Sequence, residues 1–256
     1  MPPPGGGRQD TDFDEQLFEE FITMRGGDGT RPVYWYATGE MRSFPEGEVI
    51  VRLEGLGADR LIRSTDDRGK AYQLHREIFL YRHPETNAVL RNWKGKEIKP
   101  LMMPYQFYIY SFENGRFALR VEQGSGERLQ RLGPIPIEAR RIGEATTFSL
   151  PLFIRGEKKA FAHYDFFTGP AGTSERYRLS WIRFDDWPRF PASGRRVMHA
   201  VSHRLETWED VPHSIRTFIE SEAPNYKYPP RDIEEIRKLQ AAGTERQQRP
   251  GVARRK

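Results

Sequence analysis

The sequence predicts a mainly β fold, a single antiparallel β-barrel-like domain with an N-terminal helix and C-terminal helices. Three observations carry this. About eight to ten stretches between residues 33 and 206 alternate side chains with the two-residue period of a strand. Their connections are short and rich in Gly, Asn, Asp and Pro, so successive strands join as hairpins. Only one helical pattern precedes residue 205, which argues against a parallel doubly wound sheet. With this many strands, closure into a barrel removes exposed edges, and eight or more can enclose a small-molecule cavity. A two-sheet sandwich, the alternative, would lack that cavity.

In chain order, residues 1–10 form a Pro/Gly-rich leader with nothing to pack, expected to be disordered. A helical pattern starts at Thr11, which has capping-box spacing to Asp14. Phe13, Leu17, Phe18, Phe21, Ile22 and Met24 make one apolar stripe, and Gly26-Gly27 stops the helix. Strands are expected over 33–38, 48–55, 71–83 and 105–112. Asn114-Gly115 then turns the chain into a return strand over 117–123, the strongest short-range hairpin signal available. Further strands are expected over 146–154, broken by Pro151 as at an edge or bulge, and over 159–167, 176–184 and 196–206. Helices follow Pro212 and Asp232. One domain spans 11–243, and residues 244–256 form a basic tail, expected to be disordered.

The charge distribution narrows the partners. The chain carries a formal net charge of +5. Arg246, Arg249, Arg254, Arg255 and Lys256 supply all of it without an accompanying acid, so the body is neutral. It lacks the electrostatic footprint of nucleic-acid binding, and its aromatic strands are not read as an RNA platform. No apolar run approaches the length of a membrane span, and no secretory signal is visible, so the cytoplasm is the default compartment. With no cysteine, thiolate catalysis, disulfides and Cys-ligated zinc are excluded. No phosphate-binding Gly-rich loop, His-Glu-x-x-His or Gly-x-Ser-x-Gly elbow is present, and Gly124-Ser125-Gly126 reads as a turn. Acid–base chemistry without a cofactor is the main catalytic option left.

The sharpest candidates lie on 159–167. Alternation puts Phe161, His163, Asp165 and Phe167 on one face, with the His and Asp Cβ atoms roughly 6.5–7 Å apart. Asp165 would orient the imidazole and raise its basicity. Arg183 shares a face with Tyr177, Leu179 and Trp181, and an Arg there can hold a carboxylate or phenolate. His199 and His203 share a face with Val197 and Val201; at roughly 13 Å apart they are too distant to share a metal unaided. His75 and Glu77, with Gln73, Phe79 and Tyr81, fit a polar cavity wall or a wet outer face equally. Trp35, Tyr36, Tyr105 and Tyr108 belong to aromatic strands in which Tyr falls on both faces, and a ligand cavity would partner their hydroxyls.

Arg31-Pro-Val-Tyr-Trp-Tyr-Ala-Thr-Gly39, with residues 181–191, 205–212 and Ala223-Pro224-Asn225-Tyr226, resembles the bacterial and fungal domain of unknown function 1838 family over roughly residues 12–232. Phe184-Asp185-Asp186-Trp187-Pro188 departs from that family's Trp–Met–Gly run. The resemblance implies a single β-rich domain and transfers no catalytic residue.

The functional expectation is an enzyme acting on a small hydrophobic molecule, aromatic or terpenoid, inside the barrel. The reaction would be a lyase, isomerase or dehydratase step. His163 is the expected base, Asp165 its partner, and Arg183 or Tyr36 the group stabilising charge on oxygen. Trp35, Tyr36, Tyr105, Tyr108, Phe161, Phe167, Trp181 and His199 are the expected substrate contacts, with no cofactor and no metal. The alternatives are a carrier barrel and a filled structural module. Homo-oligomer formation is left open.

Overall fold

The computed structural model describes residues 14–125, 128–156, 159–170, 177–185, 190–192 and 194–248. The leader, Thr11, Phe13, Gly126 and the tail past Gln248 lie outside the described residues. The chain runs α1 (Glu15–Gly26), β1 (Val33–Phe44), β2 (Val49–Arg63), β3 (Lys70–Arg82), a short hairpin of β4 (Asn92–Trp93) and β5 (Lys96–Glu97), β6 (Leu101–Glu113), β7 (Arg116–Ser125) and β8 (Arg128–Pro136). It continues through β9 (Glu138–Ile142), β10 (Ala145–Gly156), β11 (Lys159–Pro170), β12 (Arg178–Asp185), β13 (Arg195–Leu205), α2 (His213–Glu222) and α3 (Ile233–Gln248).

Apart from the β4–β5 hairpin, the strands form one 11-stranded antiparallel sheet, ordered β8-β7-β6-β3-β2-β1-β13-β12-β11-β10-β9. Two meanders, β1–β8 and β9–β13, join where β1 pairs β13 from Tyr34↔Leu205 to Phe44↔Arg195. The sheet curls into a nearly closed barrel. Its two terminal strands, β8 and β9, are separated only by Ile137.

These strands follow from local chemistry. Asn114 and Gly115 both take positive φ (53° and 71°), the twist a two-residue hairpin needs, and they join β6 to β7. Pro151 falls where β10 has run past β9, whose pairing ends at Ser149↔Glu138, so its missing N–H breaks no ladder with β9. β2 reaches beyond the expected stop at Gly55. Gly55 and Gly57 sit inside the strand, because a Cβ at Gly55 would strike the Phe79 ring at 2.3 Å and one at Gly57 would strike His75 at 2.5 Å. β8 and β9 were not anticipated: Gly133-Pro134 and Pro136 interrupt the alternation of β8, and β9 is five residues with Glu138, Arg140 and Arg141 among them. As a terminal strand β8 tolerates its prolines.

α1 closes one end of the barrel. Its N-cap is Asp14, which accepts from the Leu17 amide at 2.7 Å, so the helix begins later than the Thr11 reading had it. Leu17, Phe18, Phe21, Ile22 and Met24 are buried against Trp35, Tyr110, Phe117, Phe148 and Phe167 from the inner faces of the strands. The opposite end is packed by Met41, Val51, Leu53, Tyr81, Ile98 and Phe190. Outside, α2 covers Tyr34, Leu56, Ala58, Ile78 and Leu80 with Ile215, Phe218 and Ile219. α3 covers Leu74, Tyr105 and Phe107 with Ile236, and it runs on to Gln248, into the segment read as a tail. Phe153, Tyr164, Phe166, Ile182 and Phe184 are left exposed on the outer face of β10–β12. Among the described residues no helix is long and apolar enough to cross a membrane.

Candidate functional site

Between the two packed ends the barrel holds a cavity of about 540 Å³. Alternation decides who lines it. Trp35 and Ala37 of β1, Gly57 and Asp59 of β2, Gln73, His75 and Glu77 of β3, Tyr108 of β6, His163, Asp165 and Phe167 of β11, and Trp181 and Arg183 of β12 all face inward. Leu119, Val121, Ile135, Leu150 and Leu179 supply much of the apolar wall. An apolar cavity with a few convergent polar groups is the usual form of a small-molecule site.

Two polar constellations face each other across it. On β11, His163 Nε2 lies 2.7 Å from Asp165 Oδ1. Their side chains keep 23% and 18% of their exposure, enough for a molecule in the cavity to touch them. Burial pushes the Asp165 carboxyl up. The charge and hydrogen bond of His163, with Arg25 and His75 further off, outweigh this and hold it below its ordinary value. Asp165 is thus ionised at neutral pH and fixes the orientation of the ring. The imidazole lies against Trp181 at 5.7 Å between ring centres, and Arg183 is its cross-strand neighbour on β12.

On β2 and β3, His75 Nδ1 contacts Asp59 Oδ1 at 2.8 Å and its Nε2 contacts Glu77 Oε2 at 3.1 Å. Gln73 donates to the same Asp59 oxygen and accepts from the Tyr110 hydroxyl. Burial works against a charged ring here, yet the two carboxylates outweigh it and raise His75 to about 9. At neutral pH it is an imidazolium between two acids, a fixed charge. From α1, Arg25 enters the same cavity with its guanidinium over Tyr108 at 4.6 Å and Phe167 at 5.0 Å. Its backbone carbonyl accepts from Trp35 Nε1 at 2.9 Å, which ties the helix end to the barrel wall.

Of the residues expected at the site, His163, Asp165, Arg183, Trp35, Tyr108, Phe167 and Trp181 line the cavity. The Phe161 side chain lies outside the described residues. Tyr36, Tyr105 and His199 are corrections: each falls on the outward parity of its strand. Tyr36 donates to Glu54 in a buried outer cluster with Arg82 and Ser214, Tyr105 is packed beneath α3, and His199 is exposed beside Ser180. His203 points outward as well, and among the described residues no group of three or more His, Asp or Glu side chains is placed to hold a metal ion.

The reading of the sequence missed Arg25 and Asp59, and left the face of Gln73, His75 and Glu77 undecided. The signal for Asp59 was present: the parity of Val49, Val51, Leu53, Gly55, Gly57, Asp59 and Leu61 is unbroken once the glycines are allowed in the strand. Arg25 carried no such signal, because a basic residue in a helix's last turn is ordinary.

No family model and no curated protein matches this chain. Among solved structures, the S-type phycobiliprotein lyase CPES from Guillardia theta is similar at 11% identity. The match covers 75% of this chain and 95% of that one with a TM-score of 0.38, too distant to transfer a ligand or an activity.

Proposed function

We propose that the barrel binds a small, largely apolar, planar molecule, aromatic or terpenoid, and moves a proton on it in an isomerase, lyase or dehydratase step. The observation that carries this is the His163–Asp165 pair, held at 2.7 Å on the wall of an otherwise mostly apolar cavity. His163 and Asp165 work as one acid–base pair at the cavity wall, which accepts a proton from a substrate carbon or hydroxyl. Asp165 stabilises the imidazolium that results, and the same ring returns the proton at a second position. Arg183, rather than the outward Tyr36, is the cation placed to stabilise charge on a carbonyl oxygen. Membership in the domain of unknown function 1838 family belongs to this proposal and assigns no residue a role.

The apolar wall favours a second reading, a carrier that holds such a molecule unchanged. Hydrogen–deuterium exchange separates the two. Aromatic and terpenoid ketones incubated in D2O with the protein should gain deuterium beside the carbonyl. His163→Ala and Asp165→Asn should slow this by about 10²–10⁴-fold, with circular dichroism showing that both variants stay folded at the assay temperature. Binding without exchange would leave the carrier reading and remove the catalytic one.

A further inference from the structure

Arg25 is 7% exposed, on the last turn of a helix inserted in the barrel end, and its side chain faces the cavity. Long basic side chains normally carry their charge to solvent, and this one is turned inward. Its Nε and Nη1 are buried without a hydrogen-bond partner. A buried, unsatisfied cationic donor costs several kcal/mol in general, and flanking rings offset only part of that. The other charges around the cavity are differently engaged. Asp59 and Glu77 hold His75, and Asp165 holds His163; none of the three carboxylates makes an ion pair with Arg25. Asp59 and Asp165 are near enough to strengthen its charge without occupying its donors.

The position is also braced. Arg204 Nη1 donates to the Thr23 and Met24 carbonyls, and Trp35 Nε1 to the carbonyl of Arg25 itself, so the final turn of α1 is held from outside and inside. Tyr108 and Phe167 fix the plane of the guanidinium. A planar, rigid fork of donors, sunk in an apolar cavity, matches the geometry of a carboxylate.

We infer that Arg25 receives the anionic end of the cavity's ligand, which is therefore an aromatic or polycyclic carboxylate rather than a neutral hydrocarbon. This rests on the reading that the cavity holds a small molecule. The ligand then enters carboxylate first toward α1, with its apolar body alongside Trp181 and His163.

The test uses N-phenyl-1-naphthylamine, a neutral fluorophore, displaced by 2-naphthoate or 2-naphthylmethanol, which share one ring system. On the wild-type protein, naphthoate should displace the fluorophore at a concentration ten-fold or more below that of the alcohol. Arg25→Gln should bring the two to equal potency, and Arg25→Lys, which keeps the charge but not the fork, should fall between. Equal potency on the wild-type protein, or a preference that survives in Arg25→Gln, overturns the inference while leaving the cavity reading intact. The wild-type comparison stands even if Arg25→Gln does not fold. Failure of the fluorophore to bind, or its retention when Leu152→Trp narrows the cavity, removes the cavity reading and the inference with it.

Discussion

His75 is a buried charge held by two carboxylates, and it shows what such contacts do to stability. Its pKa is raised to about 9 by Asp59 and Glu77 against the opposing effect of burial. The unfolded value is about 6.5, so the folded protein holds a proton that the unfolded chain releases between the two. The linked stability is complete below about pH 6.5 and disappears as pH rises through about 9, on the order of 3 kcal/mol in all. Denaturant midpoints followed from about pH 6 to about pH 10 should fall across that window. His75→Gln should flatten the fall. A wild-type midpoint constant across the window would show that the ring is not charged in the folded state. Asp165 has the opposite sign: its depressed pKa supplies stability above the unfolded carboxyl value that is lost as pH falls.

At the scale of the element, α1 is the piece that caps one end of the barrel and gives the pocket its floor. Phe21 is fully buried and meets Tyr110, Phe117, Phe148 and Phe167 edge-on at 5.0–5.9 Å between ring centres. Phe21→Ala should cost about 3–5 kcal/mol in equilibrium unfolding. A loss below about 1 kcal/mol, the range of a tolerated surface change, would mean that the helix is not docked as described. The stripe that makes this docking possible was legible in the sequence, because Leu17, Phe18, Phe21 and Ile22 repeat at helical spacing. Its destination was not, since periodicity identifies a buried face without naming what covers it. The same limit explains the strands. Period-2 alternation separated Trp35 from Tyr36 and His163 from Tyr164, and those separations hold. Which of two such faces is internal depends on where helices land. α2 and α3 bury the outward aromatic faces of β1 and β6, so Tyr36 and Tyr105 read as interior residues although they lie outside. β8 was lost for a different reason: prolines that a terminal strand accepts are turn signals everywhere else.

At the scale of the whole molecule, two antiparallel meanders share one ladder, β1 with β13, and the chain's helical ends are spent on closing and covering the barrel they enclose. Among the described residues, apolar surface is presented both in the cavity and on the exposed outer face of β10–β12. The six histidines distinguish them. His75 and His163 face the cavity, while His199 pairs across from Ile182 at the edge of the outer patch. The most direct test of a cavity-bound ligand is therefore side-chain ¹⁵N NMR of histidine-labelled protein titrated with N-phenyl-1-naphthylamine. The account predicts that the His163 ring resonances move and saturate with the ligand, those of His75 respond, and those of His199 stay in place. Movement at His199 with a stationary His163 would contradict it.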